Sequence, residues 1–138
     1  MFLVDTSVIS ELKRKRPHGA VLAWLRSVPA TELRISAMTI GEIQAGVEIT
    51  REQDVAKARE IETWLEQIIG SYQVLAIDSA VMRVWAKLMH AKSSDLYEDA
   101  IIAATATVHG LTIATRNTRD FKSFATKVFD PFGYKAKS

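Results

Sequence analysis

Residues 100–115 read AIIAATATVHGLTIAT. Ala100–Val108 is almost apolar all round, and a helix without a polar face is a buried helix. His109-Gly110 then ends it, with a cationic residue in the last turn and glycine just past the end. The chain passes directly into a short β-branched run, Leu111–Thr115, which reads as a strand. Working outward, similar apolar runs occur at Phe2–Val4, Leu33–Ala37 and Val74–Ile77, with a weaker one at Lys127–Phe129. The segments between them have helical spacing. Val21, Trp24, Leu25 and Val28 share one face. Val55, Ala58, Ile61, Leu65, Ile68 and Ile69 form a longer stripe, with Thr50 and Gln53 in capping-box positions before it. Val81, Val84, Trp85, Leu88 and Met89 make another. Strands alternating with helices predict an α/β fold with βαβ units and a mostly parallel sheet of four to five strands, covered on both faces.

The length, 138 residues, suits one domain spanning 1–138 and is enough to bury about two-thirds of the unfolded surface. At 48% hydrophobic and 25% charged the composition is that of an ordinary globular protein. There is no cysteine, which excludes a disulfide scaffold, a thiolate metal site and a cysteine nucleophile. His18, His90 and His109 are too scattered for a histidine-rich zinc site. The net charge of +2 permits nucleic-acid binding without arguing for it. No apolar run approaches the ~20 residues of a membrane span, and MFLVDTS does not open like a signal peptide. The expectation is a soluble cytoplasmic protein with no membrane association.

In parallel α/β sheets ligands bind beyond the carboxyl ends of the strands, so the residues that follow each strand matter most. Asp5 follows Phe2–Val4 directly. Glu42 lies five residues after Ala37, in the first turn of the next helix. Asp99 opens the buried helix, and Asp120 lies five residues after Thr115. Each has an ordinary structural explanation. Asp5 can cap a helix, Thr39 with Glu42 fits a capping box, and Asp99 and Asp120 can favour helix N-termini. Asp78, followed by Ser79, has the same appearance and reads as a simple cap. The group is more telling than any member. Converging carboxylates repel one another unless a hard cation joins them, and oxygen ligands suit Mg²⁺ or Mn²⁺. Such centres serve phosphoryl chemistry.

The blocks FLVDTSVI, SAMTIGEIQAGV, EDAIIAATA and TRNTRDF occur in order between Phe2 and Phe121. Together they resemble PIN-domain ribonucleases, and within them the VapC-type and FitB-like toxins of toxin–antitoxin pairs. The resemblance implies a three-layer α/β/α sandwich. It also implies that Asp5, Glu42, Asp99 and Asp120 are both the catalytic residues and the metal ligands. Thr6, Ser7, Thr115 and Asn117 would give supporting polar contacts. The implied activity is endoribonuclease cleavage by metal-activated water, with Mg²⁺ or Mn²⁺ as cofactor, leaving a 5′-phosphate and a 3′-hydroxyl. The implied partners are an RNA substrate, a cognate antitoxin, a second copy of the chain, and promoter DNA through the antitoxin complex only.

Two other readings differ in class. One is a PIN fold that binds RNA or antitoxin without cutting; intact acids argue against it. The other is a phosphatase-like or receiver-like domain. Asp5-Thr6-Ser7 lacks the second Asp of the former, and Thr115-Arg116-Asn117 lacks the lysine of the latter. The remaining features read plainly. Lys13–Arg16 is a solvated basic run within reach of RNA phosphate, Arg116 and Arg119 flank the fourth acid, and Trp24, Trp64 and Trp85 belong to core or interface.

Overall fold

A computed structural model of the chain describes residues 1–136. Five parallel strands form one sheet in the order β3-β2-β1-β4-β5. They are β1 (Phe2–Val4), β2 (Leu33–Ser36), β3 (Gln73–Leu75), β4 (Thr112–Ala114) and β5 (Val128–Phe129). The helices are α1 (Thr6–Ile9), α2 (Gly19–Ser27), α3 (Ala37–Arg51), α4 (Val55–Ser71), α5 (Ser79–Met89), α6 (Tyr97–His109) and α7 (Thr118–Lys122). Among the described residues no helix is long and apolar enough to cross a membrane.

The alternation of side chains along β1 sorts the core into two halves. Val4 packs with Val8, Trp24, Ile35 and Leu65, on the face covered by α1, α2 and α4. Leu3 packs with Ile102, Ala103, Ile113 and Phe121, on the face covered by α6 and α7. The result is the expected α/β/α sandwich. Ala100–Ala106 of α6 is buried throughout, which accounts for its lack of a polar stripe. Gly110 ends this helix in the left-handed region at φ 66°, a conformation that glycine adopts without steric cost. Leu111 N–H then donates to the Ala106 carbonyl at 2.9 Å.

Several boundaries differ from the sequence expectation. Ala37 belongs to α3, because the Ser36 hydroxyl accepts from Met38 N–H and starts the helix there. β3 ends at Leu75, two residues before the apolar run does. The start of α4 is set by Asp54, whose carboxylate accepts from Lys57 N–H. Thr50 and Gln53 form no capping box; Thr50 still lies in α3 and its hydroxyl donates to the Gly46 carbonyl. The long stripe of α4 is only partly covered: Ala58, Leu65 and Ile68 are buried while Val55 and Ile69 are exposed.

The C-terminal segment, for which the sequence suggests no role, packs back on the sandwich. Asp130 caps a 3₁₀ turn, Pro131–Gly133, and Phe132 and Tyr134 lie against the β1–α2 half of the core.

Candidate active site

Asp5 stands at the head of α1, yet its carboxylate makes no capping bond. Its backbone does the structural work: Asp5 N–H donates to Ala114 O across the β1–β4 seam, and Asp5 O accepts from Val8 and Ile9 N–H. The carboxylate is left for other partners. Oδ2 accepts from Thr115 Oγ1 at 2.8 Å and from Ser7 Oγ at 3.0 Å. Each hydroxyl is itself oriented, since Thr115 Oγ1 accepts from Asn117 N–H and Ser7 Oγ accepts from Arg116 N–H. Asp5 is only 7% exposed and Thr115 is fully buried, so these bonds are sheltered from water.

Asp78 provides the contrast. It too follows a strand, and its Oδ1 accepts from Val81 N–H at 3.0 Å, as a helix cap does. Nor does Glu42 reach back to the backbone in the manner of a capping box. Thr6 Oγ1 donates to Glu42 Oε1 at 3.2 Å and lies 3.1 Å from Thr39 Oγ1. Thr6 therefore ties α1 to α3, and Ser7 ties it to the β4–α7 loop.

Electrostatics join these elements. Burial pushes Glu42 up to about 7, with the negative charges of Glu98, Asp5 and Asp99 adding to it and the Thr6 bond opposing it. Burial also pushes Asp99 up to about 6, helped by Asp5, Asp120 and Glu98. The four acids singled out by sequence thus lie in one electrostatic neighbourhood, and Glu98 joins them. Asp5 and Glu98 act on both Glu42 and Asp99, and Asp120 acts on Asp99. Among the described residues none of these carboxylates has a lysine or arginine within ion-pair distance.

Glu98 was not among the sequence candidates. It precedes Asp99 in the first turn of α6, where an acid is routinely favoured by the helix N-terminus. The adjacent acidic pair ahead of a buried helix was the available signal. Of the supporting residues, Thr6, Ser7 and Thr115 reach the acids through their hydroxyls. Asn117 does so one bond removed, through its backbone N–H to Thr115.

The donor set consists of carboxylates and hydroxyls, with neither imidazole nor thiolate. Its negative charges help to raise Glu42 and Asp99 and, among the described residues, have no lysine or arginine within ion-pair distance. This chemistry fits a hard divalent cation. Among the described residues, no three His, Asp or Glu side chains are grouped closely enough to hold an ion as they stand. The acids are brought to one edge, but not into a closed cage.

Fold and site together define an α/β/α sandwich with an uncompensated carboxylate centre at the carboxyl edge of its parallel sheet. The profile of the PIN domain matches residues 2–127, and the chain belongs to the PIN-domain family. It is 34% identical to Toxin FitB of Neisseria gonorrhoeae, over 96% of this chain and 99% of that protein. It is also 34% identical to VapC ribonuclease Y4jK of Sinorhizobium fredii, over 96% of this chain and 98% of that protein. The crystal structure of FitAcB from Neisseria gonorrhoeae superimposes with a TM-score of 0.86 at 35% identity, covering 96% of this chain and 99% of that chain. A structure of FitAB bound to an IR36 DNA fragment gives 0.82 at 32% identity, over the full length of both chains.

Proposed function

We propose that this protein is a metal-dependent endoribonuclease, the toxin of a toxin–antitoxin pair, and that Asp5, Glu42, Asp99 and Asp120 are its catalytic carboxylates. The observation that supports the reading is the shared electrostatic neighbourhood of acids from four separate chain segments with no lysine or arginine paired to them among the described residues, where burial and repulsion push Glu42 and Asp99 up to about 7 and about 6. Charges so arranged are costly unless a cation is meant to join them. Relatives named as toxin and ribonuclease, matched over nearly the whole chain, support the same conclusion. The four acids would hold one or two Mg²⁺ or Mn²⁺ ions. When bound, such an ion supplies a nucleophile at neutral pH and neutralises charge on the scissile phosphate.

The chain's own residues have distinct tasks in this reading. Thr115 and Ser7 hold Asp5 by its Oδ2, fixing the direction of the carboxylate and leaving Oδ1 for an ion. Thr6 holds Glu42 by Oε1 in the same way. Glu98 raises the local negative charge and favours the loaded state. Neither Glu42 nor Asp99 needs to act as a general base. Glu42 would instead give up its proton on loading, because a coordinating carboxylate must be ionised.

The partners follow from the neighbouring structures, which are assemblies of FitA with FitB, one of them on DNA. A cognate antitoxin would restrain the nuclease, and promoter DNA would be met through that complex. A homodimer in the cytoplasm completes the reading.

The deciding experiment incubates purified, antitoxin-free protein with total RNA in Mg²⁺, Mn²⁺ or EDTA, beside Asp5→Asn and Asp99→Asn. Discrete cuts with 5′-phosphate ends, absent in EDTA and in both variants, are the expected result. Cutting at the wild-type rate by either variant overturns the residue assignment. RNA binding without any cutting, from folded protein, supports a binding module instead.

A further inference from the structure

Beside the carboxylates lies a cationic feature that the reading above does not use. Arg116 is exposed and follows directly on β4 and Thr115. Its backbone N–H donates to Ser7 Oγ at 3.2 Å, and Ser7 donates in turn to Asp5 Oδ2 at 3.0 Å. The backbone of Arg116 is therefore two hydrogen bonds from the buried carboxylate of Asp5. Its guanidinium nevertheless stays out of the cluster. The guanidinium carbon stands 4.4 Å from the centre of the Phe132 ring, a cation–π distance. Among the described residues no carboxylate lies within ion-pair distance of it.

Phe132 comes from the C-terminal 3₁₀ turn and is partly buried against the core. The ring also meets His18 edge-on at 4.9 Å. His18 N–H donates to Glu11 Oε1 at 3.0 Å. Glu11 is only 5% exposed, and its Oε2 pairs with Arg14 at 3.4 Å. This bond closes the exposed basic loop Lys13–Arg16. Phe132 thus connects Arg116 with that loop at the same carboxyl edge of the sheet. The Arg116 side chain is thus seated on a ring and not paired with an acid, although its backbone is tied to Ser7 and through it to Asp5. Its free N–H edge suits an anion arriving from solvent.

We infer that Arg116, seated on Phe132, contacts an RNA phosphate and sets the strand against the carboxylates, with Phe132 as a positioning residue that acts through Arg116. The inference rests on the nuclease reading above. Lys13, Arg14, Lys15 and Arg16 are exposed on the loop that precedes His18, and phosphate contacts bind any sequence alike.

The test is fluorescence anisotropy with a labelled single-stranded RNA of mixed sequence, in EDTA at several salt concentrations, for the wild type, R116A, F132L, F132Y and R116A/F132L. R116A should weaken binding about tenfold and flatten the salt dependence by about one phosphate contact. F132L should show part of that loss, F132Y none. In the double variant F132L should add nothing further, because the ring acts only through the arginine. Under cutting conditions R116A should raise KM far more than it lowers kcat. Wild-type affinity and salt slope in R116A overturn the inference. Full additivity of R116A and F132L removes Phe132 as a positioning residue. If F132L fails to fold, R116A and F132Y decide. Binding is read without metal or cleavage, so the result is independent of whether Asp5→Asn and Asp99→Asn abolish cutting.

Discussion

Replacing Glu42 with Gln should stabilise the metal-free protein at pH 8 and leave it nearly unchanged at pH 4. Glu42 is pushed from 4.5 up to about 7, first by burial and then by Glu98, Asp5 and Asp99. A carboxyl raised in this way binds its proton more tightly folded than unfolded. Its contribution to stability is complete below the unfolded value of 4.5 and is withdrawn as pH rises through about 7. One unit corresponds to about 1.4 kcal/mol, so full burial would give about 3 kcal/mol, and water screening at this half-exposed position lowers that to about 1.5 kcal/mol. In a domain of this size the change in melting temperature is about 5 °C. Gln retains the acceptor for Thr6 Oγ1, so the substitution removes charge and little else. The assay is thermal unfolding in EDTA at pH values from 4 to 8.5, for wild type and Glu42→Gln in parallel. The two curves should coincide at the acid end, separate between pH 4.5 and about 7, and run parallel above that. Lower stability of Glu42→Gln at pH 8 would mean that a cation already compensates Glu42, and an equal gap at all pH values would mean that ionisation is not the cause. Either outcome refutes the electrostatic reasoning about this site.

Four further outcomes are expected. Mn²⁺ should raise the melting temperature more at pH 8 than at pH 5.5, because protons compete with the ion for Glu42 and Asp99; calorimetry across pH reads this. Thr115→Val should cost about 1–3 kcal/mol, since it removes a buried hydroxyl bonded to Asp5 Oδ2 and to Asn117 N–H, and urea unfolding measures it. Its cleavage rate should also fall, because Asp5 loses one of its two orienting donors. Asp78→Ala should cost about 1 kcal/mol as a lost helix cap while RNA cleavage stays at the wild-type rate. Glu98→Gln should move the acidic limb of the pH–rate profile to lower pH, because Glu98 holds up both Glu42 and Asp99.

The sandwich was legible because β1, β4 and the Ala100–Ala106 stretch of α6 are short, mostly buried apolar runs in an alternating strand–helix order that admits few other folds. Asp5 and Asp78 show where legibility ended. Both follow strands, and only the tertiary structure distinguishes them: Asp78 turns back to its own helix, while Asp5 meets Thr115 across the β1–β4 seam. No local spacing encodes a partner 110 residues away. Glu98 was hidden for a related reason, since an exposed acid in a first helical turn is ordinary until its neighbours are known. The start of α4 was misplaced because Thr50-Gln53 and Asp54 are both plausible caps; α3 runs on through Arg51, leaving Asp54 to take the role. Phe132 could not be assigned from sequence either, because its significance depends on what α2 and the β4 loop present to it.

The position of β1 has a consequence in time. It is the middle strand of the sheet, yet it leaves the ribosome before either neighbour: Phe2 pairs with Leu33, and Val4 with Ala114. The nascent chain must keep Phe2–Val4 and Asp5 waiting while α3, α4, α5 and α6 are synthesised. Closing so long a loop is entropically expensive and kinetically late. A growing chain that has delivered Asp5 and Glu42 still lacks Asp99, Thr115 and Asp120. On the proposed reading, the centre that cuts RNA comes together only once β4 and α7 have been made, so a chain that has delivered only its first two acids has no complete centre with which to cut.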